Sequence, residues 1–255
     1  MKKAGKTPIK NKVTDAFVLA GGLGSRLRPF TLEIPKPMLP VKGKPIVEYN
    51  IRNLIEHGVK HIVLGVGYKS EAIKAYFGNR FCGAKITYCV EDKPLGTAGA
   101  IKNAESHIRG KSFFVCNGDE IKDVNYTKMA ILLENKKALG VIALKQLQNI
   151  ENLGVVELKG NKILRFIEKP RPWETESRTV NAGAYVFSKK VLHMIPKKKR
   201  YSLERDVFPV LSFEQKLYGC KCVGQWFPTD TPERYERAIK KANFFRRWFD
   251  AQDSK

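Results

Sequence analysis

Short apolar segments at residues 13–20, 61–67, 85–90, 112–116 and 140–147 alternate with segments of helical period at 45–57, 70–78, 97–107 and 126–136. This alternation restricts the fold more than any other feature of the chain. The strand segments are apolar nearly throughout, as expected when both faces of a sheet are covered. Parallel strands need a crossover, and a helix is the usual one. Residues 13–150 therefore read as an α/β unit with a doubly wound, mostly parallel, Rossmann-like sheet. Ligands of such sheets bind beyond the carboxyl ends of the strands. Three unusual segments fall there: the Gly- and Pro-rich stretch 21–44, the loop 91–96, and Asp119.

The second half has a different pattern. Residues 155–158 and 163–167 flank Lys159-Gly160-Asn161-Lys162, the signature of a hairpin. This predicts a small β-hairpin lobe on the ligand side of the sheet. A strand at 181–188, helices at 190–195 and 202–212, a strand at 217–226 and a final helix at 232–249 complete the reading. Ser70 is the expected cap of the helix that stops at Gly78. Neither a linker nor a repeat separates the halves, so residues 13–255 read as one domain. Residues 1–12 carry five lysines and no acid, and read as a basic flexible tail.

At 255 residues and 43% hydrophobic, the chain has enough apolar content for a large core, which excludes the disordered classes. The formal charge of +22 points to anionic partners without choosing among them. A nucleic-acid partner would find Lys197-Lys198-Lys199-Arg200 and the basic C-terminal helix with Arg234, Arg237, Lys240, Lys241, Arg246 and Arg247. Glu233, Glu236 and Asp250 interrupt that helix. Phe244, Phe245, Trp248 and Phe249 suit packing against the body or another copy of the chain better than base stacking. Nucleic acid is therefore not the expected partner, while a homo-oligomer is compatible. The five cysteines are an odd number without a C-x-x-C pair, which fits neither a disulfide framework nor a zinc site. No apolar run reaches the roughly 20 residues of a membrane span. The run after the basic N-terminus is too short for a signal-peptide core. A cytoplasmic location without membrane attachment is the expectation.

The strongest motif is Leu19-Ala20-Gly21-Gly22-Leu23-Gly24-Ser25-Arg26-Leu27-Arg28-Pro29-Phe30-Thr31, followed by Pro35-Lys36-Pro37-Met38-Leu39-Pro40. A glycine-rich turn after a buried strand lets backbone N–H groups approach phosphates closely. The spacing matches neither G-x-G-x-x-G nor the P-loop. The combined string resembles the signature of the sugar-1-phosphate nucleotidylyltransferase family, which makes nucleoside-diphosphate sugars. Further matches follow in order: Glu91-x-x-Pro94-Leu95-Gly96-Thr97-Ala98, Asn117-Gly118-Asp119, Glu168-Lys169-Pro170, Asn181-Ala182-Gly183, and residues 226–233. The resemblance covers roughly residues 15–245.

That resemblance implies a nucleotide-binding half at 13–150 and a sugar-phosphate-binding half at 151–255. Leu19, Gly21, Gly22, Gly24, Ser25, Glu91, Pro94, Gly96 and Thr97 would hold the nucleoside triphosphate. Gly118, Glu168, Lys169, Asn181 and Gly183 would hold the sugar 1-phosphate. In the implied reaction a sugar 1-phosphate oxygen attacks the α-phosphorus of the triphosphate, and pyrophosphate leaves. The nucleophile is already anionic near neutral pH, because the second phosphate pKa is about 6. No general base is needed, which suits the position of His57, His61, His107 and His193 outside every motif. The task is to bring two anions together, and that calls for cations rather than acid–base groups. Arg26, Lys36, Asp119 and Lys169 are the expected catalytic residues. Arg26 and Lys36 face the triphosphate, Lys169 holds the sugar phosphate, and Asp119 coordinates Mg²⁺ through oxygen.

One departure stands out. The family's last motif has Trp-x-Asp-x-Gly-Thr-Pro, with the Asp as second metal ligand. This chain has Trp226-Phe227-Pro228-Thr229-Asp230-Thr231-Pro232. Pro228 replaces the Asp, and Asp230 stands where the Gly would be. A two-residue step along a strand keeps the same face, about 6.5 Å away. Asp230 is accordingly the expected second ligand. A non-catalytic regulatory or scaffolding member of the same fold, like subunits of translation exchange factors, is the alternative reading. For the base, guanine offers two adjacent donors and Glu91 an acceptor pair, which favours GTP over UTP, dTTP and CTP. The sugar is expected to be a hexose such as mannose, or a heptose.

Overall fold

The structure is a computed structural model that describes residues 13–242. The expected tail at 1–12 and residues 243–255 lie outside the described residues. So do Phe244, Phe245, Arg246, Arg247, Trp248, Phe249 and Asp250.

The strands are β1 (Asp15–Leu19), β2 (Pro40–Val41), β3 (Lys44–Pro45), β4 (His61–Val66), β5 (Arg80–Phe81), β6 (Ala84–Val90), β7 (Ser112–Asn117) and β8 (Ile121–Val124). They continue with β9 (Gly140–Gln146), β10 (Gly154–Lys159), β11 (Lys162–Glu168), β12 (Thr179–Ser188), β13 (Leu217–Cys220) and β14 (Val223–Phe227). The helices are α1 (Ile46–Glu56), α2 (Ser70–Phe77), α3 (Gly96–Asn103), α4 (Tyr126–Lys136), α5 (Phe208–Phe213) and α6 (Pro232–Lys241).

The main sheet has ten strands in the order β10-β11-β13-β9-β12-β7-β1-β4-β6-β5. At its centre β7, β1, β4 and β6 are parallel neighbours. Their alternating side chains feed two separate cores. Ala16, Val18, Ile62, Leu64, Phe114 and Cys116 join Val47, Ile51, Ile73, Phe77 and Met129 from α1, α2 and α4. Phe17, Val63, Phe113 and Val115 join Ala98, Ile101, Phe208 and Leu211 from α3 and α5. Each fully buried Val, Leu, Ile, Phe or Met among them contributes about 1.5–3 kcal/mol. Helices on both faces explain why these strands read as apolar throughout.

Two features differ from the expectation. First, β12 inserts antiparallel between β7 and β9, so the sheet is mixed rather than mostly parallel. Strand direction is set by tertiary pairing and leaves no local mark in the sequence. Second, the β10–β11 hairpin is no separate lobe. β10 also pairs with β12, at Val155 and Val180, so β9, β12, β10, β11 and β13 form a closed ring. The turn itself is as expected, with Gly160 at φ +60°.

The predicted strand at 217–226 is two strands in different sheets. β13 joins the main sheet, and β14 pairs with β8. Ser70 does not cap α2. Lys69 occupies the cap position in a left-handed conformation, and the Ser70 hydroxyl lies 3.3 Å from Glu71 Oε1. The predicted helix at 202–212 opens with a wide turn at Leu203–Val207 before α5.

Candidate active site

The long segment after β1 is held open by buried anchors. Leu27, Leu39, Val41 and Ile46 share a third core with Tyr49, Ile121, Phe227 and Tyr235. Tyr49 Oη donates to Val41 O at 2.7 Å, and Tyr235 Oη donates to Pro40 O at 2.6 Å. Thr31 Oγ1 donates to Gly24 O at 2.9 Å. Gly24 has φ +61°, and a Cβ there would stand 2.8 Å from Lys36 Cβ. Only glycine lets the two halves of the segment meet. Lys36 is thereby pressed inward, 7% exposed.

This segment, the 91–96 loop and the ends of β1 and β7 enclose a cleft of about 460 Å³. Leu19, Gly21, Gly22, Gly24, Ser25, Arg26, Lys36, Glu91, Pro94, Gly96, Thr97, Asp119 and Asp230 all line it. Every residue expected on the nucleotide side is present. A second cleft of about 230 Å³ is lined by Glu168, Lys169, Asn181 and Gly183, the residues expected on the sugar-phosphate side, with one exception. Gly118 lines neither cleft. Its amide donates to Leu19 O at 2.8 Å, and a Cβ would collide with that oxygen and with Val18. Gly118 is a packing residue, small because β1 passes directly behind it.

The two clefts share a wall made of Arg26, Lys36, Asn117, Asp119 and Asp230. Lys36 Nζ lies 2.6 Å from Asp119 Oδ2. Burial works against ionisation of Asp119, but the Lys36 ammonium outweighs it and holds the carboxyl below the usual range. The β8–β14 ladder brings Asp230 here, pairing Ile121 with Phe227 and Lys122 with Trp226. Thr229 Oγ1 then donates to Asp119 O at 2.6 Å, locking the two turns together. Asp230 takes Arg26 on one oxygen at 3.2 Å and Arg234 on the other at 2.9 Å. Burial raises its carboxyl, but Arg234, its own backbone amide and Lys36 together lower it below the usual range. Both expected metal ligands therefore reach one wall as charged carboxylates, despite Pro228. Among the described residues no group of three His, Cys, Asp or Glu could hold a metal alone.

The second cleft is rich in carboxylates. Glu120, Glu168 and Glu204 line it, and only Glu168 belongs to a recognised motif. Burial, reinforced by Glu204, pushes the Glu168 carboxyl up. Glu120 accepts from Trp226 Nε1, from Asn117 Nδ2 at 3.3 Å and from the fully buried Lys122 at 3.2 Å. Gly183 sits in a bulge of β12 at φ +63°, where a Cβ would lie 2.6 Å from Asn117 Nδ2 and 2.7 Å from Glu120 Oε1. Its amide donates to Asn181 Oδ1 at 2.9 Å. Lys169 adopts φ +52°, and its amide donates to Leu153 O.

The clefts are also tied from the side. Glu204, in the second cleft, accepts a 2.7 Å hydrogen bond from Thr97 Oγ1 in the first. Glu91 Oε2 accepts from Leu95 N at 3.1 Å, so one oxygen of that carboxylate organises its own loop. Burial raises the Glu91 carboxyl. Sequence reading missed Asn117 as a site residue, although it opens a recognised motif, and Glu120, which directly follows that motif. It also missed Thr229, although it lies within the 226–232 motif, Arg234, which it read only as part of a basic helix, and Glu204, which carries no local signal.

A profile of the nucleotidyl transferase family matches residues 15–243. The chain belongs to the nucleotidyl transferase family. Among curated members, it is 33% identical over 231 residues to D-glycero-alpha-D-manno-heptose 1-phosphate guanylyltransferase of Aneurinibacillus thermoaerophilus, covering 91% of this chain and 99% of that one. It is 34% identical over 227 residues to mannose-1-phosphate guanylyltransferase of Mycobacterium tuberculosis, covering 88% of this chain. It spans 63% of that longer relative. Among solved structures, HddC from Yersinia pseudotuberculosis, complexed with GMP-PN, superposes with a TM-score of 0.75 at 29% identity. That match covers 91% of this chain and all of HddC. A UDP-glucose pyrophosphorylase complexed with UDP-glucose, at 19% identity and a TM-score of 0.78, shares the fold. The family's α/β nucleotidyltransferase fold is thus the fold of this chain. No helix among the described residues is long and apolar enough to cross a membrane.

Proposed function

We propose that this chain transfers GMP from GTP to a sugar 1-phosphate, releasing pyrophosphate and forming a GDP-sugar. The observation that carries the reading is the shared wall, which puts Arg26, Lys36, Asp119 and Asp230 between a nucleotide-sized cleft and a carboxylate-rich one. The guanylyl preference and a manno-configured sugar, heptose or mannose, rest on the relatives' names. The Rossmann-like reading of the fold belongs to the same proposal and is supported by the parallel β6-β4-β1-β7 core, whose carboxyl ends carry the larger of the two clefts. A cytoplasmic location belongs to the same reading.

The triphosphate lies along the 21–26 turn, whose backbone approaches its phosphates. Arg26 and Lys36 offset the charge on the phosphates that leave. Lys169 holds the sugar phosphate, and Glu168, Glu120 and Glu204 accept hydrogen bonds from sugar hydroxyls. A sugar-phosphate oxygen forms a bond to the α-phosphorus as the bond to the departing pyrophosphate breaks. The nucleophile arrives deprotonated, so no side chain takes a proton. Asp119 and Asp230 would hold Mg²⁺, which binds one or two carboxylates and completes its shell with phosphate oxygens and water. When bound it would supply further neutralisation of the triphosphate. The intact set of Arg26, Lys36, Asp119 and Lys169 disfavours a scaffolding role.

Thermal unfolding with each nucleoside triphosphate, with and without Mg²⁺, tests the reading. A ligand at 100 times its Kd adds about 2.7 kcal/mol. A selective shift by GTP, followed by pyrophosphate release only when mannose or manno-heptose 1-phosphate is added, is the expected result. A shift by another nucleotide alone overturns the guanylyl assignment, and no shift by any of them overturns the transferase.

A further inference from the structure

The central parallel strands also have amino ends, and these converge on a second feature. Asp15 opens β1, His61 opens β4, Lys85 lies at the start of β6, and Arg109 precedes β7. Together with Lys60 they line a pocket of about 420 Å³. β1 separates this pocket from the candidate active site by its own length, about 13 Å for five residues at the usual rise.

The pocket is built on a buried anchor. Asp15, 5% exposed, accepts from the amides of Arg109 at 2.8 Å and Gly110 at 2.6 Å. That fixes the segment carrying the Arg109 side chain. Asp15 Oδ1 also lies 3.5 Å from His61 Nδ1, and His61 Nε2 meets Thr87 Oγ1 at 2.9 Å. With both ring nitrogens engaged, the imidazole is fixed at the pocket wall. Lys60, Lys85 and Arg109 surround it, and among the described residues none of the three pairs with a carboxylate side chain. Three cations thus face one buried carboxylate whose oxygens are already in use.

We propose that this pocket binds a small phosphomonoester dianion at a site separate from the substrate clefts. Two ammonium groups and a guanidinium fork match a dianionic phosphate better than a single carboxylate. The volume suits a small metabolite. His61 serves as the reporter rather than the ligand. Burial depresses its pKa most, Asp15 works the other way, and the fields of Lys85 and Arg109 add to the depression. A bound dianion offsets those two cations, so His61 must titrate at higher pH when the pocket is filled.

The test is an NMR titration of the four histidine imidazoles with inorganic phosphate, with chloride at matched ionic strength as control. His61 is assigned with His61→Gln. The expected result is a saturable movement of the His61 resonance and an upward shift of its titration, with His57, His107 and His193 still. Replacing two of the three exposed cations, Lys85→Ala with Arg109→Ala, weakens this response at least about tenfold. Arg26→Ala and Lys36→Ala leave it intact, which separates this site from phosphate held in the substrate clefts. An equal response to chloride, an intact response in the double variant, or its loss in Arg26→Ala overturns the proposal.

Discussion

Lys36 and Asp119, 83 residues apart in the chain, meet at 2.6 Å in the wall between the two clefts. The pair unites the loop after β1 with the turn after β7 and sets one cationic and one anionic group side by side. Asp119→Asn is expected to lower kcat/KM by about 10²–10³-fold while leaving the circular dichroism spectrum unchanged. Lys36→Met is expected to cost a similar amount. Because the residues act as a unit, the double variant should lose far less than the product of the two. Steady-state kinetics over the four proteins decides this, and simple additivity would separate the two roles.

Asp230 reaches the wall through β14 and the Thr229 clasp, two positions after the place where the family carries its aspartate. Asp230→Asn should shift the Mg²⁺ activation curve to higher concentration by about 10–100-fold. Arg234→Ala, which removes a partner from the other oxygen, should shift it much less. An unmoved Mg²⁺ curve for Asp230→Asn would remove this residue from the metal.

Lys169 stands in a left-handed conformation that costs a non-glycine residue about 1–2 kcal/mol. Lys169→Ala and Lys169→Gly should raise the KM for sugar 1-phosphate equally, since both lose the ammonium. They should differ in urea denaturation, the glycine variant being more stable by about 1 kcal/mol. Equal stabilities would show that the backbone there is unstrained.

Glu168 is held protonated to higher pH than an ordinary glutamate, first by burial and then by Glu204. The folded state therefore binds a proton more tightly than the unfolded one. Stability falls as pH rises from the ordinary glutamate range through the raised value. Glu168→Gln should stabilise the unliganded protein at pH 8, and the gain should vanish in acid below the ordinary range. Denaturant midpoints at the two pH values measure it, and a gain that persists in acid would assign the effect to packing.

Glu91 contributes to the nucleotide cleft while one oxygen accepts the Leu95 amide. Glu91→Gln retains an acceptor for that amide but removes the charge. Competition between GTP and UTP should shift toward UTP with little change in stability. An unaltered ranking would move base selection to the backbone of the 94–96 turn.

The parallel core and the glycine-rich loop were legible because burial on both faces leaves unbroken apolar runs and because the motif string is long. What escaped was set by pairing between distant segments. Ile121–Val124 carries Lys122 and Asp123 at its centre and reads as loop, yet Lys122 is fully buried against Glu120. That strand and β14 decide where Asp230 stands. Gly118 sits inside a motif and so read as a binding residue, although its smallness serves β1. Glu204 reaches the second cleft from the wide turn at Leu203–Val207 through contact with Thr97, which no local pattern announces.

The ring formed by β9, β12, β10, β11 and β13 leaves the main sheet without a free margin on that side, since β10 turns back to β12. At the other margin β5 is only two residues long. Exposed strand margins are the usual template for unwanted growth of a sheet by addition of another chain. Among the described residues such growth is confined to the outer side of β6 beyond Lys85, because β5 pairs only with Ala84 and Lys85. A second copy meeting the ring side would have to be recognised by its side chains, so self-assembly there is a question of surface chemistry, open to change by single substitutions, rather than of sheet extension.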